Sequence, residues 1–444
     1  MTTSSRYYPN LYKDSVSLMT VSAQIMRIDG IDTASVVMAS ATNIDNLAEA
    51  GLGPFDVRPN DLLIALSGTP ESCEEALAKA DDLLTQTASA GDTGAVAAQP
   101  ITSIQMAVTQ DPSHNFVLVS VPGDYAAAEG MKALRLGMDV MLFSDNVTAA
   151  DELVLKTYAR DHDLMVMGPD CGTAIVNGVP LGFANVVRRG PIGVVGASGT
   201  GTQEVTVRVH QLRSGISQAL GTGGHDLSEA IGGISMLHGL AALDEDPGTS
   251  VIILVSKPPA AAVAAAILEK AEASAKPVVV IFLGADPSAV TRNGVYGAAY
   301  LAQAADMAVA LAQGQRPGGG DVAVSGEMRR RLTEAARGMA PGQQFVRGIF
   351  SGGTFCFEAQ LIHAAAGITA YSNGPTAGNY PLERITLSQD NTIIDMGDDE
   401  FTQGRPHPMI DPSLGELVVT HIDDGVVLAH CDPLERVVPG CRAV

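Results

Sequence analysis

Residues 190–212 read GPIGVVGASGTGTQEVTVRVHQL: a short apolar run, a turn of small residues, then a longer segment of mixed polar and apolar residues. IGVV has the length of a buried strand, and QEVTVRVHQL reads as the helix that the turn opens. Between them, the small residues of Gly196-Ala197-Ser198-Gly199-Thr200-Gly201-Thr202 let backbone N–H groups converge on an anion, and the helix dipole adds about half a positive charge there. A strand entering a helix through such a turn opens a βαβ unit, which makes the chain α/β with a parallel sheet. Three standard motifs are excluded. Gly199-x-Gly201-x-x-Glu204 carries glutamate where the dinucleotide fingerprint has glycine, no Gly-Lys-Ser/Thr follows for a Walker A loop, and Ser198 lacks the flanking of a nucleophile elbow. The turn alone reads equally as an anion cradle and as a tight βα connection with a capping threonine.

The same alternation extends outward in both directions. Downstream lie the strands SQAL, SVIILVS and PVVVIFLG, the last two joined by an alanine-rich helix, PAAAVAAAILEKAEASA. GQRPGGG reads as a linker, MRRRLTEAARGM as a helix, and a further unit opens at QFVRGIFSGGT. Upstream, FVLVSVPG, MDVMLFS and LMVMGPDCG alternate with helices, the first closed by Gly137. In the first hundred residues SVSLM reads as a strand, SAQIMRI as a helix, ASVVMA and DLLIALSG as strands and PESCEEALAKADDLLTQ as a helix, giving a small α+β unit of ferredoxin-like order. The expected domains are therefore 1–100 (α+β), 101–187 and 188–315 (α/β), and 323–444 (α/β), with QTASAGDTGAVAAQP as the first linker.

The 444 residues suit about three or more domains. With 46% apolar and 17% charged residues the chain is a packed globular one. A net charge of −22 repels phosphate backbones and anionic lipids, so neither nucleic acid nor membrane is an expected partner. The longest apolar runs fall far short of the ~20 residues of a bilayer span, and the first residues lack a signal-peptide pattern. Five scattered cysteines without a C-x-x-C signal neither disulfides nor a metal site, and a reduced cytoplasmic setting follows as the expectation.

An internal echo of the first turn sharpens it. Ser351-Gly352-Gly353-Thr354 also follows a strand and opens a helix, and both loops share Gly-Thr-x-x-x-Glu, in Gly199-Thr200…Glu204 and Gly353-Thr354…Glu358. Two such helix starts facing each other would hold a phosphate between them. Gly223-Gly224-His225-Asp226 follows SQAL at the carboxyl end of a strand, where open α/β sheets bind ligands; His225 reads as an acid–base group or anion donor, or as a surface residue beside a capping Asp226. Gly168-Pro169-Asp170-Cys171 ends another strand, and Cys171, with no histidine near it in sequence, reads as a buried structural thiol before a nucleophile. Asp395, Asp398, Asp399 and Glu400, followed by Arg405 and His407, read as a solvated acidic loop before a Mg²⁺ site.

GPDCGTAI, GPIGVVGASGTGTQE, ALGTGGHDLSEAIGG, KPVVVIFLG, FVRGIFSGGTFCFEA and IIDMGDDEFTQGRPHPMID together resemble the FdrA family. That family lies in the superfamily of succinyl-CoA synthetase and other nucleoside-diphosphate-forming acyl-CoA synthetases. The resemblance implies a CoA-binding-type Rossmann domain at 101–187 and flavodoxin-like succinyl-CoA-synthetase domains after it. It places Gly168 to Cys171 near the ligand, Ser198 to Thr202 at the first phosphate-cradling helix, and Ser351 to Thr354 at its counterpart. The synthetases' phosphohistidine segment matches Asn293–Ala298, where Val295 stands at the histidine position. Valine has no lone pair, so phosphoryl relay there is impossible.

A cradle without a carrier suits direct attack of phosphate on an acyl or carbamoyl carbon, or the reverse. By resemblance, the chain is expected to be a subunit of an oxamate-carbamoyltransferase-type enzyme of allantoin catabolism, interconverting oxalurate plus phosphate with oxamate plus carbamoyl phosphate. The alternatives are a subunit of an acyl-CoA ligase and a non-catalytic CoA- or metabolite-binding regulator. The substrate would carry phosphate or carbamoyl phosphate, no cofactor is required, CoA is admissible, and other subunits of a hetero-oligomer would complete the site. From GELVVTHIDDGVVLAHC onward the chain departs from the family pattern, which suggests an incomplete last sheet.

Overall fold

The computed structural model describes residues 2–9, 11, 13, 15–40, 43–44, 47–48, 51–58, 61–89, 101–318, 326–338, 345–384, 388–398, 401 and 425–429. The N-terminal unit is an antiparallel sheet of β1 (Thr2–Tyr8), β2 (Ile31–Met38) and β3 (Leu62–Gly68) in the order β1-β3-β2. Leu62, Ile64 and Leu66 face the helices Ser15–Met26 and Pro70–Ser89, while Leu63 and Ala65 pack against Leu47 and Leu52 on the other side. Burial on both faces explains the unbroken apolar run of β3. The unit keeps the strand–helix–strand–strand–helix order, but SVSLM belongs to the helix and the first strand lies earlier, at Thr2–Tyr8. Leu18, Val21, Ser22 and Ile25 are buried at helical spacing, so reading SVSLM as a strand cut one helix in two.

Next come β4 (Phe116–Val119), β5 (Asp139–Leu142) and β6 (Val166–Met167), a parallel sheet in sequential order, with the helices Gly123–Arg135 and Ala149–Asp161 between its strands. The chain then makes a hairpin, β7 (Thr173–Val176) and β8 (Val179–Gly182), through Asn177 and Gly178, both at positive φ. Asn-Gly between short apolar runs is a strong hairpin signal. This hairpin joins the following sheet through an antiparallel pairing of β7 with β10, so residues 173–182 of the expected 101–187 unit are structurally part of the next one.

That sheet holds β9 (Arg189–Gly196), β10 (Ile216–Gly221), β11 (Val251–Ser256), β12 (Val278–Phe282) and β13 (Val295–Gly297). Its order is β13-β12-β11-β9-β10-β7-β8, and the five strands from β9 onward are parallel. Numbered along the chain, those five run 2-1-3-4-5, the flavodoxin-like arrangement, with its switch point between β9 and β11. The last sheet, β14 (Phe345–Phe350), β15 (Tyr371–Ser372), β16 (Tyr380–Pro381), β17 (Thr392–Asp395) and β18 (Gly425–Ala429), has the order β16-β15-β17-β14-β18 and is parallel throughout. From the tail that departs from the family pattern, GVVLA supplies the edge strand β18, an apolar run of strand length that pairs along β14. No helix among the described residues is long and apolar enough to cross a membrane.

Candidate active site

A cavity of about 420 Å³ opens at the carboxyl ends of β9, β10 and β11, at the switch point where a sheet of this order receives its ligand. Just after β9, Ser198 caps the helix Gly199–Gln211, its hydroxyl oxygen accepting the Gly201 N–H at 3.0 Å. The helix Gly353–Ala365 starts directly against it: the Ser198 and Thr354 hydroxyls are 2.6 Å apart. A Cβ on Gly352 would lie 2.6 Å from Thr200 Cγ2, so glycine at that position allows the two helix starts to meet. The facing of the two loops read from the sequence is what the tertiary structure builds. Of their residues, Ser198, Gly199, Thr202 and Thr354 line the cavity, whereas Thr200, Gly201, Ser351, Gly352 and Gly353 lie behind or beside its wall.

The other walls come from Asp170 and Cys171 and from Gly223, Gly224 and His225; Gly168 and Pro169 support them from outside. Gly223 has a φ of +83°, and a Cβ there would meet the Pro169 carbonyl oxygen at 2.2 Å, so the two turns interlock only with glycine. Cys171 is buried and its thiol is pushed up to about 12 by that burial, which keeps it protonated and a packing group. Asp170 is pushed up to about 6, by desolvation first and the Asp145 charge second, with His225 working the other way. His225 is exposed at the rim, its Nδ1 3.8 Å from Glu152 Oε2. Asp399, Glu400, Arg405 and His407 lie outside the described residues, and among the described ones no group of three or more His, Cys, Asp or Glu side chains is placed to hold a metal.

Lys257 reads in the sequence only as the break after an apolar run, yet it lines the cavity. Its Nζ lies 3.0 Å from where a Gly353 Cβ would be, and Asp395 Oδ2 lies 2.8 Å from that same point. Burial pushes the Asp395 carboxyl above its usual range, against the pull of the Gly397 N–H and of Lys257. A charged residue directly after a fully buried switch-point strand is the signal that would have found it. The two echoed glutamates also meet: Glu358 accepts the Leu301 N–H at 2.7 Å and is pushed up to about 7 by burial, with Glu204 adding like charge. Since the folded chain favours its protonated form, this contribution is full below 4.5 and is lost as pH rises through about 7, at most about 3 kcal/mol. Thermal unfolding followed from pH 8 to pH 5 is expected to show Glu358→Gln losing part of the stabilisation that wild type gains on acidification. Parallel curves for the two proteins would contradict it.

The fold and this cavity define an α/β protein with a cavity, walled by small-residue turns and two helix starts, at the switch point of a flavodoxin-like sheet. YahF, an uncharacterized protein of Escherichia coli K12, is 42% identical to the chain over 409 residues, 91% of this chain and 78% of that protein. The chain belongs to the YahF family, of succinyl-CoA-synthetase-like, FdrA type. The alpha subunit of the ADP-forming succinate–CoA ligase of Methanothermobacter thermautotrophicus is 28% identical over 43% of this chain, and that of the malate–CoA ligase of Methylorubrum extorquens 30% over 39%. The aligned stretches span 64% and 60% of those subunits. A structure of ATP citrate lyase from Methanothrix soehngenii in complex with citrate and coenzyme A matches 55% of this chain and 42% of its own at 20% identity and a TM-score of 0.38.

Residues 187–284 match the CoA binding domain family, beside the span 101–187 where the resemblance had placed such a domain. Residues 1–100 match the family described as AllF, heavy metal-associated domain. Those residues hold no histidine and one cysteine, Cys73, which is buried with its thiol turned to the Thr2 carbonyl oxygen, so they do not fit a thiolate-held heavy metal.

Proposed function

We propose that the chain is the acyl-transfer subunit of a CoA-ligase-like enzyme, binding the phosphate end of an acyl phosphate in the cavity and working without a phosphohistidine. The observation that carries this reading is the Lys257 ammonium beside two helix starts that meet at Ser198 and Thr354. In the ligase direction the CoA thiol gives up its proton to a base, its sulfur attacks the acyl carbon, and the carbon–oxygen bond to phosphate breaks with its electron pair going to the phosphate oxygen. Charge grows on that oxygen, and preorganised N–H donors and an ammonium stabilise it most in a water-poor cavity. A partner subunit would close the open face. Carbamoyl transfer is the finer form of the same chemistry, with a carbamoyl carbon on the phosphate; the relatives described above favour the ligase form.

Titration calorimetry with phosphate, acetyl phosphate, carbamoyl phosphate and CoA tests the reading. Binding of phosphate and an acyl phosphate together with CoA supports it, carbamoyl phosphate binding without CoA selects the carbamoyl form, and no heat with any of the phosphates overturns it. Val295 makes a further outcome specific. It is fully buried on β13, in the core with Val278, Val280 and Ile252, so this position offers neither a nucleophile nor an approach. Incubation with labelled ATP, with or without CoA, is expected to leave no acid-labile label on any histidine; stoichiometric label would contradict it.

A further inference from the structure

A buried charge cluster joins the Rossmann-type unit to the rim of the cavity. Lys156, fully buried on the helix Ala149–Asp161, donates to Glu152 Oε1 at 2.6 Å, to Asp226 Oδ1 at 2.8 Å and to the Thr222 carbonyl oxygen at 2.9 Å. These contacts use all three of its N–H donors. Asp226 in turn accepts the N–H groups of Ser235 and Met236, at 3.1 and 2.9 Å, at the start of the helix Ile234–Glu245. One ammonium therefore faces two carboxylates. Asp226 spends its charge on three donors, and the excess falls on Glu152, whose Oε2 faces His225 Nδ1 at 3.8 Å. The imidazole is 75% exposed and lines the cavity, while Glu152 is 1% exposed and held rigidly. The other charged group against the ring is Asp170, with Asp145 behind it.

We propose that Glu152 is a positioning residue for His225: the buried Lys156–Glu152 pair holds the ring proton on Nδ1 and leaves Nε2 as the bare nitrogen available for proton transfer in the cavity. At 3.8 Å the two atoms are beyond a direct hydrogen bond, so the selection is by field: a buried carboxylate favours the tautomer whose N–H dipole points toward it. The role of that bare nitrogen rests on the acyl-transfer reading of the cavity; the tautomer itself does not.

The test is nitrogen-15 NMR of histidine-labelled protein at pH 9, where an imidazole is neutral, with His225→Asn for assignment. Wild type is expected to show His225 protonated at Nδ1, and Glu152→Gln, which keeps an acceptor for Lys156, to shift the majority of the population to Nε2–H. A wild-type ring protonated at Nε2, or the same tautomer in both proteins, overturns the proposal. If Glu152→Gln does not fold, the wild-type spectrum alone decides. Failure of phosphate to bind wild type would instead count against the acyl-transfer reading, leaving the tautomer result standing.

Discussion

Replacing Lys156 with methionine is expected to destabilise the chain by about 3–5 kcal/mol, because it leaves two buried carboxylates without their counter-charge. Glu152 and Asp226 have 1% and 0% of their side chains exposed, so solvent screens neither. The loss should fall on the contact between the helix Ala149–Asp161 and the turn after β10, since Lys156 also holds the Thr222 carbonyl. Thermal and denaturant unfolding would register it as a lowered first transition. Neutralising the partners as well, in Lys156→Met/Glu152→Gln/Asp226→Asn, should recover part of the loss, because neutral groups cost less to bury than unpaired charges. A Lys156→Met protein within about 1 kcal/mol of wild type would show that water reaches the cluster.

The second large effect concerns the anion. Lys257→Ala is expected to weaken phosphate or acyl phosphate binding at least tenfold, about 1.4 kcal/mol, and Lys257→Glu further, while Lys257→Arg retains most of it. In a chain carrying −22 overall, Lys257 is the one lysine or arginine among the lining residues, so its loss should be felt most by a doubly charged ligand. Gly353→Val should act through the same group, since a side chain there displaces the ends of both Lys257 and Asp395. Those ends are flexible, so the fold should survive. Because Lys257 is exposed, the wild-type affinity should also fall with added salt. Equal affinities across wild type, Lys257→Ala and Gly353→Val would show that the loops are turns and nothing more.

The elements that were legible in the sequence are those whose cause is local. The apolar runs that became β9, β11 and β12, the small-residue turn before Gln203 and the helix closed by Gly137 each carry their reason within a few residues. SVSLM misled because five apolar-rich residues cannot separate a strand from one face of a helix, and the buried spacing through Ile25 decides it. The Asn177-Gly178 hairpin has an equally local cause, two turn residues at positive φ between short apolar strands.

By itself, the sequence determined the α/β class, the two echoed helix starts, and a side chain without a lone pair at Val295, because strand and helix periods, turn residues and side-chain chemistry are short-range properties. Only the tertiary structure decided that Ser198 meets Thr354 across 156 positions, that Lys257 lines the cavity, that Gly425–Ala429 pairs along Phe345–Phe350, and that Lys156 braces the His225 turn from another domain. Those contacts depend on which faces bury together, and burial is settled by the whole packed chain, where the i,i+4 Glu152–Lys156 pair becomes the charge at an interface.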